Sequence, residues 1–194
     1  MAVLVVGLAV WIAAHLFKRV APGARARLQD RMGGASKGLF AILLVVSVIL
    51  MVVGYRGAAF VPVYTPPGWT VHLVDLLMIV AIALFGLGSS KSNLRGRLRH
   101  PQLSGFALWA GLHLTVNGDL ASVVMFGTLL IWALAEMVVI NATVPAPEPF
   151  QGGSGRGTLR LLLISAVLYA IITSIHAWLG VWPLGGPVHS TGRR

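Results

Sequence analysis

The residues of this sequence that could bind a cofactor or take part in a reaction are the ionisable side chains within its apolar segments. An unpaired charge at membrane depth costs roughly 3 kcal/mol on insertion scales, so such residues are rare there and indicate functional sites. Histidine avoids much of this cost by staying neutral, and a neutral imidazole ligates metals through one ring nitrogen. The histidines are therefore the first candidates for a cofactor site. The ionisable residues in or near the apolar segments are His15, His72, Asp75, His113, Glu136 and His176.

His113 is the strongest of these candidates, because its apolar segment extends to both sides of it. About ten residues precede it there, which at about 1.5 Å per residue places it roughly 15 Å from the start and near mid-bilayer. Trp109 and Asn117 lie four residues to either side and share its helical face. Two interpretations stay open from the residues alone: a neutral imidazole hydrogen-bonded to a neighbouring helix, and an axial ligand of a haem or another metal.

The remaining ionisable residues have simpler expected roles. His15 lies near the cytoplasmic end of the first helix, where its ring can extend to the interface. Asp75 shares a helical face with His72 and is expected to bond it, with the orientation of a liganding imidazole as the alternative. Glu136 is expected to pair with an arginine of an inner loop. His176 is expected at the interface, at the outer end of the last helix.

The composition excludes several function classes. The chain has 194 residues, of which 57% are hydrophobic and 10% charged, whereas soluble domains carry about 25% charged residues. We therefore expect the lipid bilayer as its solvent. Cysteine is absent, which excludes thiolate nucleophiles and cysteine-held metal clusters. The net charge is +10, but the cations lie in short segments between apolar runs without interleaved aromatics, so we expect no nucleic-acid partner.

A spanning helix needs about 20 mostly apolar residues. On this basis the sequence predicts an all-α bundle of six transmembrane helices, forming one domain over residues 1–182, followed by a disordered tail at 183–194. A short basic stretch at 25–32 is predicted to lie along the membrane surface. The fourth helix is short for a span, and Pro101 is expected to open it. The six predicted helices cover residues 2–17, 39–55, 69–88, 103–116, 120–142 and 159–181.

The basic residues are distributed unequally between the two sides of such a bundle. Most lie in the first, third and fifth connections, and the opposite side has only Arg56, Arg193 and Arg194. Loops rich in lysine and arginine stay in the cytoplasm. The sequence therefore predicts that both termini lie on the non-cytoplasmic side.

Residues 99–127, RHPQLSGFALWAGLHLTVNGDLASVVMFG, resemble the signature of the NnrU family of bacterial membrane proteins. The N-terminal part is also similar: a histidine late in the first helix, a basic loop, and an apolar helix ending in Gly-Tyr-Arg at 54–56. The similarity covers most of residues 1–136, whereas the C-terminal third matches only as a hydrophobic span. The matching positions of the signature are Arg99, His100, Pro101, Gly105, Trp109, His113, Asn117, Gly118, Asp119, Phe126 and Gly127.

The resemblance implies a multi-pass protein of the bacterial inner membrane with a role in denitrification, alongside nitrogen-oxide reductases. The family is also related to 15-cis-zeta-carotene isomerase, a membrane haem b protein. Its two haem-liganding histidines match His15 and His113 by motif position, so the resemblance implies haem b held by this pair. The isomerase carries a cysteine three residues before the second ligand, where this chain has Ala110.

We therefore expect a haem b-binding membrane protein of the NnrU type that supports nitrite and nitric oxide respiration by a redox, sensing or haem-related role. His15 and His113 would be the axial ligands, which requires their nitrogens to lie within about 4 Å of each other through iron. The fourth helix would then be shifted inward. Trp109 and Asn117 would shape the pocket, and Arg99 would pair with a haem propionate at the inner face.

Three alternatives stay open. The first is an isomerase-like enzyme with a carotenoid substrate and a long apolar cleft open to lipid; any enzyme here would be a haem-dependent cis–trans isomerase or an oxidoreductase. The second is a methyltransferase similar to the isoprenylcysteine carboxyl methyltransferases, which share a motif like Arg99-His100-Pro101. The third is a transporter or assembly factor without a cofactor.

Overall fold

The computed structural model describes residues 1–148 and 150–181, and within this part the chain is helical with connecting loops. All six predicted helices form, and the basic stretch after the first forms a helix of its own. The tail predicted to be disordered, residues 183–194, lies outside the described residues. In chain order the α-helices are α1 (Ala2–Val20), α2 (Pro22–Met32), α3 (Ala35–Arg56), α4 (Thr70–Leu87), α5 (Pro101–Val116), α6 (Leu120–Thr143) and α7 (Gly155–Trp178).

Several helix ends follow directly from residue type. Pro22 and Pro101 occupy the first turns of α2 and α5, where the missing N–H leaves no hydrogen bond unmade. Gly33 ends α2 at φ 55°, a conformation that disfavours any side chain. Asp119 and Ser154 cap α6 and α7, because each side chain accepts a backbone N–H of the first turn. Local sequence therefore sets these boundaries.

Among the described residues, five helices are long and apolar enough to cross a membrane, namely α1, α3, α4, α6 and α7. This number of apolar helices fits a multi-pass membrane protein. The remaining apolar helix, α5, has 16 residues. Its length is about 24 Å, against a hydrocarbon core of about 30 Å. The sixth crossing and the orientation of the termini stay predictions.

Contacts at both ends of α5 support the sixth crossing. At one end of the bundle, which we call the outer end, the turn after α5 meets the loop 57–69, where the Val63 N–H donates to the Gly118 carbonyl over 2.8 Å. At the opposite end, the inner end, the Arg99 guanidinium donates to the Val144 carbonyl over 2.6 Å, just after α6. α5 therefore joins the same two ends of the bundle that α6 joins.

The helices pack in an order that differs from their order in the chain. α1 packs against α3 and α6, α5 packs against α4 and α6, and α7 packs against α4. Helix α6 thus connects an N-terminal pair, α1 and α3, to a second pair, α4 and α5. Of the residues singled out by the sequence, His15, Trp109, His113 and Glu136 lie on α1, α5 and α6, where these three helices meet.

Glycine permits the closest helix approach, between α1 and α3. A Cβ on Gly7 would lie 2.8 Å from the backbone nitrogen of Met51, and a Cβ on Gly54 would collide with the backbone of Leu4. Helices in lipid associate through this kind of close packing, because lipid chains are as apolar as the side chains. Leu4 and Leu8 are buried beside these contacts. The two helices therefore form a tight antiparallel pair.

The turn at 117–119 fastens the outer end of the bundle. Gly118 leaves no room for a side chain, because a Cβ there would collide with the carbonyl of Tyr64. The Tyr64 N–H donates to the Gly118 carbonyl over 3.1 Å. The Tyr64 hydroxyl donates to the carbonyls of Leu114 and Asn117. The polar turn of the sequence signature is therefore a structural connection between the loop 57–69 and the turn that joins α5 to α6.

Candidate functional site

His113 lies in the last turn of α5. This position is nearer the outer end of the helix than the mid-bilayer depth that the sequence predicts. Only three residues follow His113 before α5 ends at Val116, and the turn at 117–119 is bonded to the outer loop. His113 is nevertheless largely enclosed by protein, since its ring packs against Trp109 and Phe126 with centroid distances of 4.9 and 4.4 Å.

The imidazoles of His15 and His113 make the same hydrogen bond. In each, Nδ1 lies 2.9 Å from the backbone carbonyl four residues earlier, that of Trp11 and Trp109 respectively. A carbonyl only accepts, so Nδ1 is the protonated nitrogen. In a neutral ring, Nε2 then keeps its lone pair. Both residues therefore hold the tautomer that ligates a metal through Nε2, and this donor chemistry fits an axial ligand of haem.

Aromatic side chains from α1, α5 and α6 pack around the two imidazoles. Trp11 and Phe106 stack at a centroid distance of 5.8 Å and an interplanar angle of 19°. Trp132 meets their rings edge-on at 5.3 and 5.2 Å. We call this group the aromatic cluster, and its members are Trp11, His15, Phe106, Trp109, His113, Phe126 and Trp132.

The two imidazoles lie at different levels of the aromatic cluster. The His15 ring contacts Trp132 at 4.7 Å, whereas His113 contacts Phe126. These two α6 positions are six residues apart, which corresponds to about 9 Å along the helix. Two axial nitrogens of one iron lie about 4 Å apart. In this arrangement the spacing does not fit two ligands of the same iron, and ligation by both requires α1 to move relative to α5 and α6.

The other predicted pocket residues occupy distinct places. Trp109 lies in the aromatic cluster beside His113, as the four-residue spacing predicts. The Asn117 amide donates to the His113 carbonyl over 2.8 Å, so it closes the end of α5. Arg99 lies at the opposite end of α5 from His113, where it bonds the Val144 carbonyl. Helix α5 therefore places Trp109 in the aromatic cluster, and it places Asn117 and Arg99 at its two ends.

The carboxylates at membrane depth find partners on other helices. Glu136 pairs with Arg19 at the end of α1, with 3.8 Å between Oε1 and Nε, which confirms the predicted pairing with an inner arginine. Asp75 accepts a hydrogen bond from the Tyr169 hydroxyl of α7 at 3.3 Å. This partner differs from His72, which the sequence predicts for Asp75, because helix packing brings α7 against α4.

Trp11, Phe106 and Trp132 are members of the aromatic cluster that the sequence interpretation missed. Trp11 precedes His15 by four residues, and Trp132 precedes Glu136 by four. This is the same spacing that identified Trp109 beside His113. A search for tryptophan four residues before each ionisable residue would have found both. Phe106 had no comparable signal, because its place depends on how α1 packs against α5.

Within residues 1–148 and 150–181, no group of three or more histidine, cysteine, aspartate or glutamate side chains is arranged to hold a metal ion. This part of the chain therefore offers no site for a metal ion that needs three or more ligands of these types. Haem differs, because its porphyrin supplies four ligands and the protein adds only axial ones.

A comparison with known protein families matches the sequence of this chain to one family. The family model described as NnrU protein matches residues 3–183 of the 194-residue chain. The match includes the C-terminal third, which the sequence signature does not cover. No curated protein and no solved structure matches the chain. Because the family match spans nearly the whole length, the chain belongs to the NnrU family.

Proposed function

We propose that this NnrU-family protein binds haem b within the membrane and supports nitrogen-oxide respiration by a redox, sensing or haem-related role. The observation that carries the proposal is the shared hydrogen bond of His15 and His113. Each ring is held by a backbone carbonyl through Nδ1–H and keeps Nε2 for ligation. Both rings pack against aromatic side chains, which give a cofactor an apolar surrounding.

In this proposal, His15 and His113 are the candidate axial ligands, and the chain supplies the surroundings. Trp109 and Phe126 pack against His113 and fix the plane of its ring. Trp11 and Trp132 do the same for His15. Haem, when bound, supplies redox and ligand-exchange chemistry at iron.

Binding of one haem by both histidines has a structural requirement. Trp11 and Phe106 stack between the levels of the two imidazoles. These rings must separate for a porphyrin to lie between α1 and α5. Helix α1 would have to shift against its present contacts with α6, which include the Arg19–Glu136 ion pair. A ligand set that uses only one of the two histidines has no such requirement.

The test is the optical spectrum of the detergent-purified protein from haem-replete cells. We expect a Soret band in the wild type and its loss or displacement in His113→Ala and, separately, in His15→Ala. His72→Ala, at the outer end of α4, is the matched control and should keep the wild-type spectrum. A wild-type protein without haem would reject the proposal. A spectrum unchanged in one alanine variant would remove that residue from the ligand set.

The respiratory role needs a separate measurement in cells. In a denitrifying host that depends on this protein, we expect the His113→Ala strain to consume nitrite or nitric oxide more slowly than the wild type. The His72→Ala strain should match the wild type at equal protein levels. Equal rates in all three strains would reject the respiratory role. Haem binding would still be decided by the optical spectrum.

A further inference from the structure

Unsatisfied polar atoms gather where α1 and α6 meet. Among the residues that the structure describes, the buried side-chain nitrogens and oxygens without a hydrogen-bond partner are Trp11 Nε1, Arg19 Nε, Trp132 Nε1 and Glu136 Oε2. Trp11 and Arg19 belong to α1, and Trp132 and Glu136 belong to α6. We call these side chains the junction site. Trp11 contacts Trp132 and Arg19 pairs with Glu136, so the four atoms form two neighbouring pairs along the contact between the two helices.

The α6 half of the junction site is deeply buried, whereas the Arg19 side chain is 21% exposed. Trp132 and Glu136 are each 5% exposed. Leaving such groups unpaired in an apolar surrounding costs free energy that native proteins avoid. The Arg19–Glu136 ion pair does not remove this cost, because 3.8 Å is longer than a hydrogen bond. Both charged groups therefore keep hydrogen-bonding capacity for a third group.

The types of these atoms restrict the third group. Two indoles and one guanidinium offer N–H donors, whereas the Glu136 carboxylate accepts. A simple anion would be repelled by the carboxylate, and a cation would be repelled by Arg19. A carbonyl compound could accept from the N–H groups but could not donate to Glu136. A hydroxyl group can do both with the same oxygen.

We propose that the junction site binds a hydroxyl group, which donates to Glu136 and accepts from the neighbouring N–H groups. Two sources share this chemistry: an ordered water molecule and the phenolic hydroxyl of a membrane-soluble quinol. The rings of Trp11 and Trp132, 5.3 Å apart, and Phe106 beside them favour an aromatic headgroup. The location between two apolar helices favours a ligand delivered by lipid. None of its four atoms is a haem ligand, but the proposed ligand His15 contacts Trp11 and Trp132, so the junction site requires α1 and α6 in the arrangement described here.

The first experiment detects water. Radiolytic hydroxyl-radical footprinting oxidises aromatic side chains that adjoin ordered water, and mass spectrometry reports each residue. Phe126 is the internal control, because it is also 5% exposed and lies on the same helix. Tryptophan reacts faster with hydroxyl radicals than phenylalanine does, so each rate is divided by the intrinsic reactivity of its residue type; if water supplies the hydroxyl, the corrected oxidation of Trp132 should be several-fold that of Phe126. This excess should disappear in Glu136→Leu.

The second experiment detects the quinol. Equilibrium binding of a short-chain hydroquinone is measured with the detergent-purified protein. We expect Glu136→Leu to weaken binding about tenfold or more, since it removes a charge-assisted hydrogen bond. Glu136→Gln keeps the size of the side chain and should weaken binding less. Asp75→Asn changes a membrane-depth carboxylate outside the site and should bind like the wild type.

The two experiments together decide the inference. Excess oxidation of Trp132 without quinol binding supports the site with water as its ligand, and Glu136-dependent quinol binding supports it with the quinol. The inference is overturned if Trp132 is oxidised no more than Phe126 and the hydroquinone either fails to bind or binds equally to the wild type and to Glu136→Leu. A thermal melt shows whether each variant is folded. Glu136→Gln replaces Glu136→Leu in both comparisons if the leucine variant is unfolded.

Discussion

Each histidine near the end of α1, α5 and α7 bonds the carbonyl four residues earlier through Nδ1. The distances are 2.9 Å for His15 and His113 and 2.8 Å for His176. Helical spacing made the His113–Trp109 relation predictable, because residues four apart share a face. The role of Asn117 was not predictable from the same spacing. An asparagine at a helix end bonds local backbone in preference to a distant group.

Asn117→Ala tests whether this amide serves the helix end or a cofactor pocket. The substitution removes the hydrogen bond to the His113 carbonyl, and its expected cost is about 1 kcal/mol of stability. We expect a lower melting temperature in detergent and an unchanged position of any Soret band. A shifted band at unchanged stability would instead place Asn117 in the cofactor pocket.

At the scale of elements, the apolar helices follow from hydropathy, and their ends follow from proline, glycine and capping residues. Half of the observed helix limits lie one to four residues beyond the predicted ones, because polar first and last turns do not alter the helical hydrogen bonding, whereas α4 and the end of α7 are shorter than predicted. The loop 57–69 had no predicted contacts. Its attachment to the turn at 117–119 depends on backbone hydrogen bonds. Such bonds can form with almost any residue type, so the sequence does not predict them.

Gly118→Ala tests the attachment of this loop. The added Cβ would collide with the Tyr64 carbonyl, and overpacking of this kind costs about 1–3 kcal/mol. We expect a clear fall in the melting temperature of the detergent-purified protein. Gly111→Ala in α5 is the matched control, because a Cβ there meets nothing within 4 Å. A fall of the same size in both variants would show that loss of glycine itself, and not the collision, is responsible.

At the scale of the whole molecule, the sequence predicted the all-α class and the six apolar helical segments but not the neighbour order. Apolar runs show which segments enter lipid, whereas the choice of neighbours depends on small residues such as Gly54 and on aromatic side chains such as Phe106. The aromatic cluster therefore could not be assembled from sequence, although His15, Trp109 and His113 were identified singly. The distribution of basic residues still makes a definite prediction of topology.

Single-cysteine labelling tests that topology, and the natural absence of cysteine makes each introduced thiol unique. Ala59→Cys lies at the outer end and Gly155→Cys at the inner end. With α5 crossing the membrane, we expect a membrane-impermeant maleimide to label position 59 in intact cells and position 155 only after permeabilisation. Labelling of both in intact cells would mean that α5 does not cross. The reverse pattern would invert the orientation.

The peripheral position of α7 has a consequence for biogenesis. α7 packs against α4, whereas the aromatic cluster and the junction site are built from α1, α5 and α6. Every side chain of both sites has therefore been synthesised before the last helix leaves the ribosome. A nascent chain that ends after α6 already carries the complete set, so loading of the proposed haem can precede termination of translation.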